Sequence, residues 1–203
     1  MTRLQLVLKT IADRCVACLA LLVLSPLFAL ASLVIVMFSP GPIFFRQTRI
    51  GRGGIPFSIF KFRTMHVDAA STHTGSVSTR NDPRIFRGAD FLRRTKIDEL
   101  PQLFNVLNGT MSLVGPRPTV CEDYERMSPD QRRRTLVRPG LTGLAQIRGN
   151  TSLSWPERIK LDLEYIDHYH LGLDVKILFE TALLVATLRA ATDTPGTDEW
   201  AAT

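Results

Sequence analysis

Cys15 through Phe38 runs without a single charged side chain. As one straight helix it would measure about 36 Å at about 1.5 Å per residue, more than the roughly 30 Å hydrocarbon core of a bilayer. Length alone therefore predicts a membrane-spanning helix. A secretory signal fits less well, because the run is long and no small-x-small cleavage site is placed convincingly after it. Two features oppose a simple span. Ser25-Pro26 lies near the middle, and proline removes a backbone donor and clashes with the preceding turn, so the helix kinks or breaks there. The carbonyls freed by the break need partners, and the Ser25 hydroxyl is close enough to supply one. The flanks are also both cationic: Arg3, Lys9 and Arg14 before the run, Arg46, Arg49 and Arg52 after it. The positive-inside rule scores both as cytoplasmic. A helix that enters, bends and leaves by the same face satisfies both flanks, a spanning helix only one. The residues alone leave re-entrant and spanning readings open.

The rest of the chain must then form one further domain, since 203 residues suit one domain or at most two. Its net charge of +6 suits an anionic partner such as a phosphorylated metabolite or an acidic membrane surface. Nucleic acid is not expected, because zinc-finger spacing is absent and the cations are spread rather than gathered in one stripe. Three cysteines make an odd count that argues against a disulfide framework. Cys15 and Cys18 form a CxxC inside the apolar run, where packing is the expected role.

After the turn cluster Ser39-Pro40-Gly41-Pro42, residues 43–50 and 55–64 read as two strands of a hairpin, joined across Gly51, Gly53 and Gly54. Lys61 and Arg63 share one face of the second strand. They suit a phosphate, although a solvated sheet face is the plainer expectation. Residues 67–83 are polar and read as a surface loop. A helix is expected from Asp98 to about Leu107, ended by Asn108-Gly109. It opens on adjacent carboxylates, Asp98 and Glu99, after the cations Arg93, Arg94 and Lys96. Acids are common in first turns, where the helix dipole favours their ionised forms. The same pair also suits group transfer, one carboxylate attacking and the other holding a metal.

Further on, Gly115-Pro116-Arg117-Pro118 holds a guanidinium on a stiff loop suited to bidentate phosphate binding, or simply places an arginine at the surface. Ser128-Pro129 starts a helix, followed by Arg132, Arg133 and Arg134 as a solvated or headgroup-facing stretch. Leu144 to Ile147 is a strand candidate. Ser154-Trp155-Pro156-Glu157 is a capping box, and the helix it opens carries Ile159, Leu163, Ile166 and Tyr169 on one face. His168 and His170 alternate near its end, which does not bring two ligands together. Leu171 to Arg189 is a last apolar helix, interfacial or packed on the core, and residues 191–203 read as a flexible tail.

Taken in order, Lys9 to Asp13, Ser25-Pro26, Phe45-Arg46-x-x-Arg49-x-Gly51, Lys61 to Met65, Asp82-x-Arg84, Asp98 to Leu103, Ser112 to Pro118, Arg138 to Gly143 and Trp155 to Leu178 resemble the monotopic phosphoglycosyl transferases. These are the bacterial sugar transferases that act on polyprenol phosphate. The resemblance covers nearly the whole chain and is to the small form, without extra N-terminal spans. It implies an α+β fold: a membrane re-entrant helix-break-helix over residues 1–40, then a helix-rich catalytic domain over 41–190 with a small β-hairpin and amphipathic interfacial helices. It implies a place at the cytoplasmic face of the bacterial inner membrane. The implied activity is transfer of a sugar 1-phosphate from a UDP-sugar to polyprenol phosphate, with Mg²⁺ and a covalent aspartyl intermediate, at the start of glycoconjugate or polysaccharide synthesis.

By motif, Asp98 is then the nucleophile and Glu99 its partner and magnesium ligand. Lys61, Arg93 and Arg117 fall where the family keeps phosphate-binding cations, and Asp174 at a late acidic position. Ser25 and Pro26 form the helix break. A homodimer stays open. One departure stands out: after Ala145-Gln146-Ile147, many members read Asn-Gly-Arg-Asn, whereas this chain reads Arg148-Gly149-Asn150-Thr151, which leaves the contacts made there open. The competing reading is a non-catalytic membrane scaffold or regulator that binds anionic lipid.

Overall fold

The computed structural model describes residues 3–66 and 84–187. The polar loop at 67–83, with Asp82, and the tail at 191–203 lie outside the described residues. The architecture is α+β, with many short helices around two small sheets.

Helix α1 (Arg3–Val23) and helix α2 (Ser25–Phe38) meet at a 62° bend. Pro26 sits in the first turn of α2, where its missing N–H costs nothing. The Ser25 hydroxyl donates to the Leu22 carbonyl at 2.8 Å, so the break is satisfied as its sequence anticipates. Among the described residues, no single helix is long and apolar enough to cross a membrane; the bent pair together is. The amphipathicity of this pair is inverted. In α1 the inward residues are Lys9, Asp13 and Ala17, while Leu19, Leu22, Val23, Leu30, Leu33 and Met37 of the pair are exposed. Such a large apolar patch on a protein surface marks an interaction site.

Strand β1 (Phe44–Ile50) pairs antiparallel with β2 (Pro56–Phe62) as the expected hairpin. Gly53 and Gly54 take φ of 70° and 77° in the connection, where residues with a Cβ are strained. Arg63 departs from the solvated-face expectation. It is buried and donates to the carbonyls of Ser39 and Pro40, closing the end of α2 where helix carbonyls lack partners.

The expected single helix over 98–107 is instead two pieces, a 3₁₀ turn at Ile97–Glu99 and α4 (Gln102–Leu107), and a separate helix α3 (Ala89–Arg94) precedes them. Lys96 breaks the first junction with φ 58°, and Pro101 stands before α4 as its N-cap. A parallel pair that the sequence does not announce follows: β3 (Ser112–Val114) and β4 (Gly140–Thr142). Gly140 permits it, because a Cβ there would collide with the backbone of Gly115. Residues 144–147, expected as a strand, begin α6 (Leu144–Arg148); four apolar or neutral residues in a row do not separate a strand from a buried helical turn.

Helix α5 (Cys121–Arg126) precedes a 3₁₀ stretch at Gln131–Leu136, started by Ser128, whose hydroxyl accepts from Gln131 N–H at 3.3 Å. The arginines there are not all solvated: Arg134 is buried against Asp162 at 2.5 Å. Helix α7 (Trp155–Asp167) opens on the expected capping box, with Ser154 N–H donating to Glu157 at 2.7 Å. Helix α8 (Leu171–Ala186) is capped by His170, whose Nδ1 accepts from Leu173 N–H at 3.1 Å. The main core joins α1, α4, β3, α7 and α8 through Ala17, Val106, Met111, Val114, Tyr165 and Ile177.

Candidate active site

The two carboxylates of the 3₁₀ turn receive opposite treatment. Glu99 Oε1 takes Lys61 Nζ at 2.8 Å from β2 and Arg117 Nη2 at 2.8 Å from the loop after β3. Burial alone would push the Glu99 carboxyl up, but Arg117 and Lys61 outweigh it and hold the group well below the usual carboxylate range. Asp98, one residue earlier, makes no ion pair of this kind among the described residues. Its Oδ1 is buried and has no hydrogen-bond partner among the described residues. Burial first, then the neighbouring Glu99 charge, pushes Asp98 up to about 6, against the pull of Lys61, Lys96 and Arg93. The turn therefore holds one clamped, permanently charged acid beside one unclamped acid that titrates close to neutral pH.

Distant segments bring these groups together. Asn105 of α4 is fully buried and bridges to β2: its Oδ1 accepts Phe60 N–H at 3.0 Å and its Nδ2 donates to Ser58 O at 2.8 Å. This sets β2, and so Lys61, against the carboxylate turn. Arg134 donates to the Arg117 carbonyl at 2.9 Å while paired with Asp162, which fixes the Arg117 loop from beneath. Arg49 lies close enough to Arg117 to feel it: burial first and then Arg117 lower its affinity for a proton. Cations crowded in this way favour an anion between them.

Of the residues singled out from sequence, Asp98, Glu99, Lys61 and Arg117 are thus assembled, and Arg93 acts on Asp98 through its charge. Asp174 is not with them. It is buried elsewhere, accepting from Lys9 Nζ at 2.7 Å, Tyr165 OH at 2.8 Å and Tyr169 OH at 3.3 Å. Its oxygens are spent on tying α8 to α1 and α7, so it does not face a phosphate at the carboxylate turn. Burial and Asp174 push Tyr165 up, which keeps that phenol a donor. Ser25 and Pro26 lie at the helix bend, as expected. Sequence reasoning missed Asn105 and Asp162; the one available signal was a polar side chain set within an apolar helical pattern.

Beside the turn lies a cavity of about 430 Å³, with Lys96, Glu99 and Arg117 at one end and Leu178, Leu184 and Val185 of α8 along a wall. Among the described residues no group of three or more His, Cys, Asp and Glu side chains is placed to hold a metal. A carboxylate pair with a phosphate oxygen and water is nevertheless a donor set that magnesium accepts. Glu99 Oε2 has Arg117 Nη1 only at 3.5 Å, so Glu99 keeps one oxygen that fits such an ion, while Asp98 Oδ1 has no partner among the described residues.

An unclamped acid, a clamped acid and converging cations beside a cavity are groups of the kind that phosphoryl-group transfer uses. The chain belongs to the bacterial sugar transferase family, whose model matches residues 4–188. It is 44% identical over 193 residues to the UDP-glucose:undecaprenyl-phosphate glucose-1-phosphate transferase of Xanthomonas campestris pv. campestris, covering 91% of this chain and 40% of that protein. It is 42% identical over 182 residues to the protein of the same description from Escherichia coli K12, covering 86% of this chain and 39% of that one. It is 40% identical over 194 residues to the exopolysaccharide production protein PSS of Rhizobium leguminosarum bv. phaseoli, covering 89% of this chain and 96% of that protein. The chain thus spans well under half the length of the first two.

Proposed function

We propose that this chain transfers a sugar 1-phosphate from a UDP-sugar to a polyprenol phosphate, undecaprenyl phosphate being the acceptor in the names of its relatives. The observation that carries the reading is the buried, unpaired Oδ1 of Asp98 beside a Glu99 already neutralised by Lys61 and Arg117. An ion-paired carboxylate is a poor nucleophile, and a lone one is repelled by a diphosphate; this arrangement avoids both problems. In the first half-reaction an Asp98 oxygen bonds to the sugar-bearing phosphorus, the bond from that phosphorus to the bridging oxygen breaks, and UMP leaves with the electron pair. In the second, a polyprenol phosphate oxygen bonds to the same phosphorus and the aspartyl oxygen departs. Lys61, Arg93 and Arg117 bind the phosphates and offset their charge. Magnesium, if held by Glu99, would supply further neutralisation of the phosphate oxygens and leave Asp98 free to attack.

The inverted amphipathicity of α1 and α2 supports a bent, shallow seat in the cytoplasmic face of the inner membrane, with the carboxylate turn near the headgroups. The test is incubation of the full chain with UDP-sugars labelled in the sugar, plus magnesium. We expect UMP release and a labelled protein adduct that Asp98→Asn abolishes. An unlabelled parent chain, or an Asp98→Asn chain labelled as strongly as the parent, overturns the mechanism.

A further inference from the structure

The cavity has a polar feature that this chemistry leaves unused. Gln146 of α6 forms part of its wall, and both amide atoms of Gln146 are buried with no hydrogen-bond partner among the described residues. Buried polar groups are almost always paired, so an amide unpaired on both its donor and its acceptor side calls for a partner of its own. The amide oxygen packs against the backbone of Gly143, where a Cβ would stand 2.8 Å from Gln146 Oε1. Arg117, Gln146 and Asn150 line both the large cavity and an adjoining recess of about 60 Å³. They therefore form one polar partition, and Arg117 ties it to Glu99 at 2.8 Å.

We propose that Gln146 is a donor-specificity residue, whose amide pairs with hydroxyls of the sugar that stays joined to the transferred phosphate, with Asn150 beside it. This rests on the transfer reaction proposed above. The phosphate attacked by Asp98 is the one that bears the sugar, so the sugar is the organic group nearest the carboxylate turn. The nucleotide lies one phosphate further away. The adjoining recess holds Trp155, the kind of ring that a nucleobase slot commonly uses for stacking, whereas the large cavity's lining has no aromatic side chain among the described residues. Its leucines suit the C–H faces of a sugar ring, and the two neutral amides suit its hydroxyls.

The experiment measures equilibrium binding to the full chain in nanodiscs, with Asp98→Asn present to block turnover. The ligands are a panel of UDP-hexoses and free UMP. Gln146→Leu and the unbranched Gln146→Met are compared with Gln146, and melting curves establish that each is folded. We expect Kd for the preferred UDP-hexose to rise about tenfold in both variants, the scale of a lost neutral hydrogen-bond pair. Kd for UMP should change less than about twofold, within the scatter of a neutral site. Unchanged UDP-hexose affinity overturns the proposal, because a structural water on Gln146 would behave in that way. Equal weakening of UMP also overturns it, by moving the contact to the nucleotide. If the Gln146 chain binds no UDP-hexose at all, the transfer reaction itself fails, a result distinct from the other two.

Discussion

Asp98→Asn should make the protein more stable while removing its chemistry, and the gain should depend on pH. The folded-state pKa of Asp98 is raised from 3.8 to about 6, chiefly by burial. Between those values the native state binds more protons than the unfolded state, so stability falls as pH rises from about 4 to about 6. Above about 6 the carboxylate is ionised in both states and the penalty is constant. At about 1.4 kcal/mol per tenfold, the penalty above pH 6 is about 3 kcal/mol. An asparagine has no such term. The stability difference, variant minus parent, should therefore be smallest below pH 4, grow by about 2 kcal/mol between pH 4 and pH 6–7 as it approaches its full value, and then level off.

Reading the difference across pH matters, because the new amide brings its own cost at a site where Oδ1 has no partner. That cost does not change with pH and cancels, as do carboxylates that do not interact with Asp98; Glu99 does interact with it, but is held well below the usual carboxylate range and stays ionised across the pH values compared. The assay is denaturant unfolding in detergent at several pH values, followed by tryptophan fluorescence, with Trp155 buried in the fold as reporter. A difference that is flat from pH 4.5 to 7.5, or that shrinks with rising pH, would refute the account of Asp98 as a carboxylate held at a loss.

Arg134→Met should cost about 3–5 kcal/mol, because it strands the buried Asp162 without its partner; Arg134→Met with Asp162→Leu should recover most of that in the same unfolding assay. A double variant no more stable than the single would show that the pair's charge balance is not what matters. For activity, the rate of UMP release should rise with pH through about 6 as Asp98 ionises. Lys96→Met should move that midpoint to higher pH, since the Lys96 charge helps to hold the Asp98 proton affinity down; a midpoint that stays put or falls would contradict the electrostatics.

What was legible in the sequence was chemistry acting over a few residues. The Ser25-Pro26 break, the glycine-punctuated hairpin and the Ser154–Glu157 capping box each depend on neighbours in the chain, and each is found. Contacts closed by tertiary structure were not legible. The β3–β4 pair joins three-residue segments too short to show a period. Arg134 looks like its solvated neighbours Arg132 and Arg133 until Asp162 is folded against it. At the site, the residue types were readable but their division of labour was not. Adjacent acids on a turn carry no mark of which one will receive two cations from remote segments, and Lys61 and Arg117 both choose Glu99. Asp174 shows the opposite error: an acid near a matching motif whose oxygens are consumed by Lys9 and two tyrosines.

The inward polar stripe of α1 bears on the site as well as on the membrane. Lys9 pairs with Asp174, and Asp13 accepts from the Ser112 hydroxyl at 2.5 Å. Ser112 begins β3, the strand that leads directly into the loop carrying Arg117. Arg138, at the entry to β4, donates to Thr10 of α1 at 2.8 Å. The two strands of the parallel pair are therefore both moored to the middle turns of α1, and the loop carrying Arg117 hangs from them. Apolar side chains could have packed α1 to the domain, but they would not have fixed its register: apolar contacts are non-directional, whereas an ion pair and a short hydrogen bond specify one axial position. A helix whose outer face is free to slide in lipid gains most from such a constraint. In the membrane seat proposed above, the depth at which α1 settles would set the height of Arg117, and with it Glu99, above the headgroups.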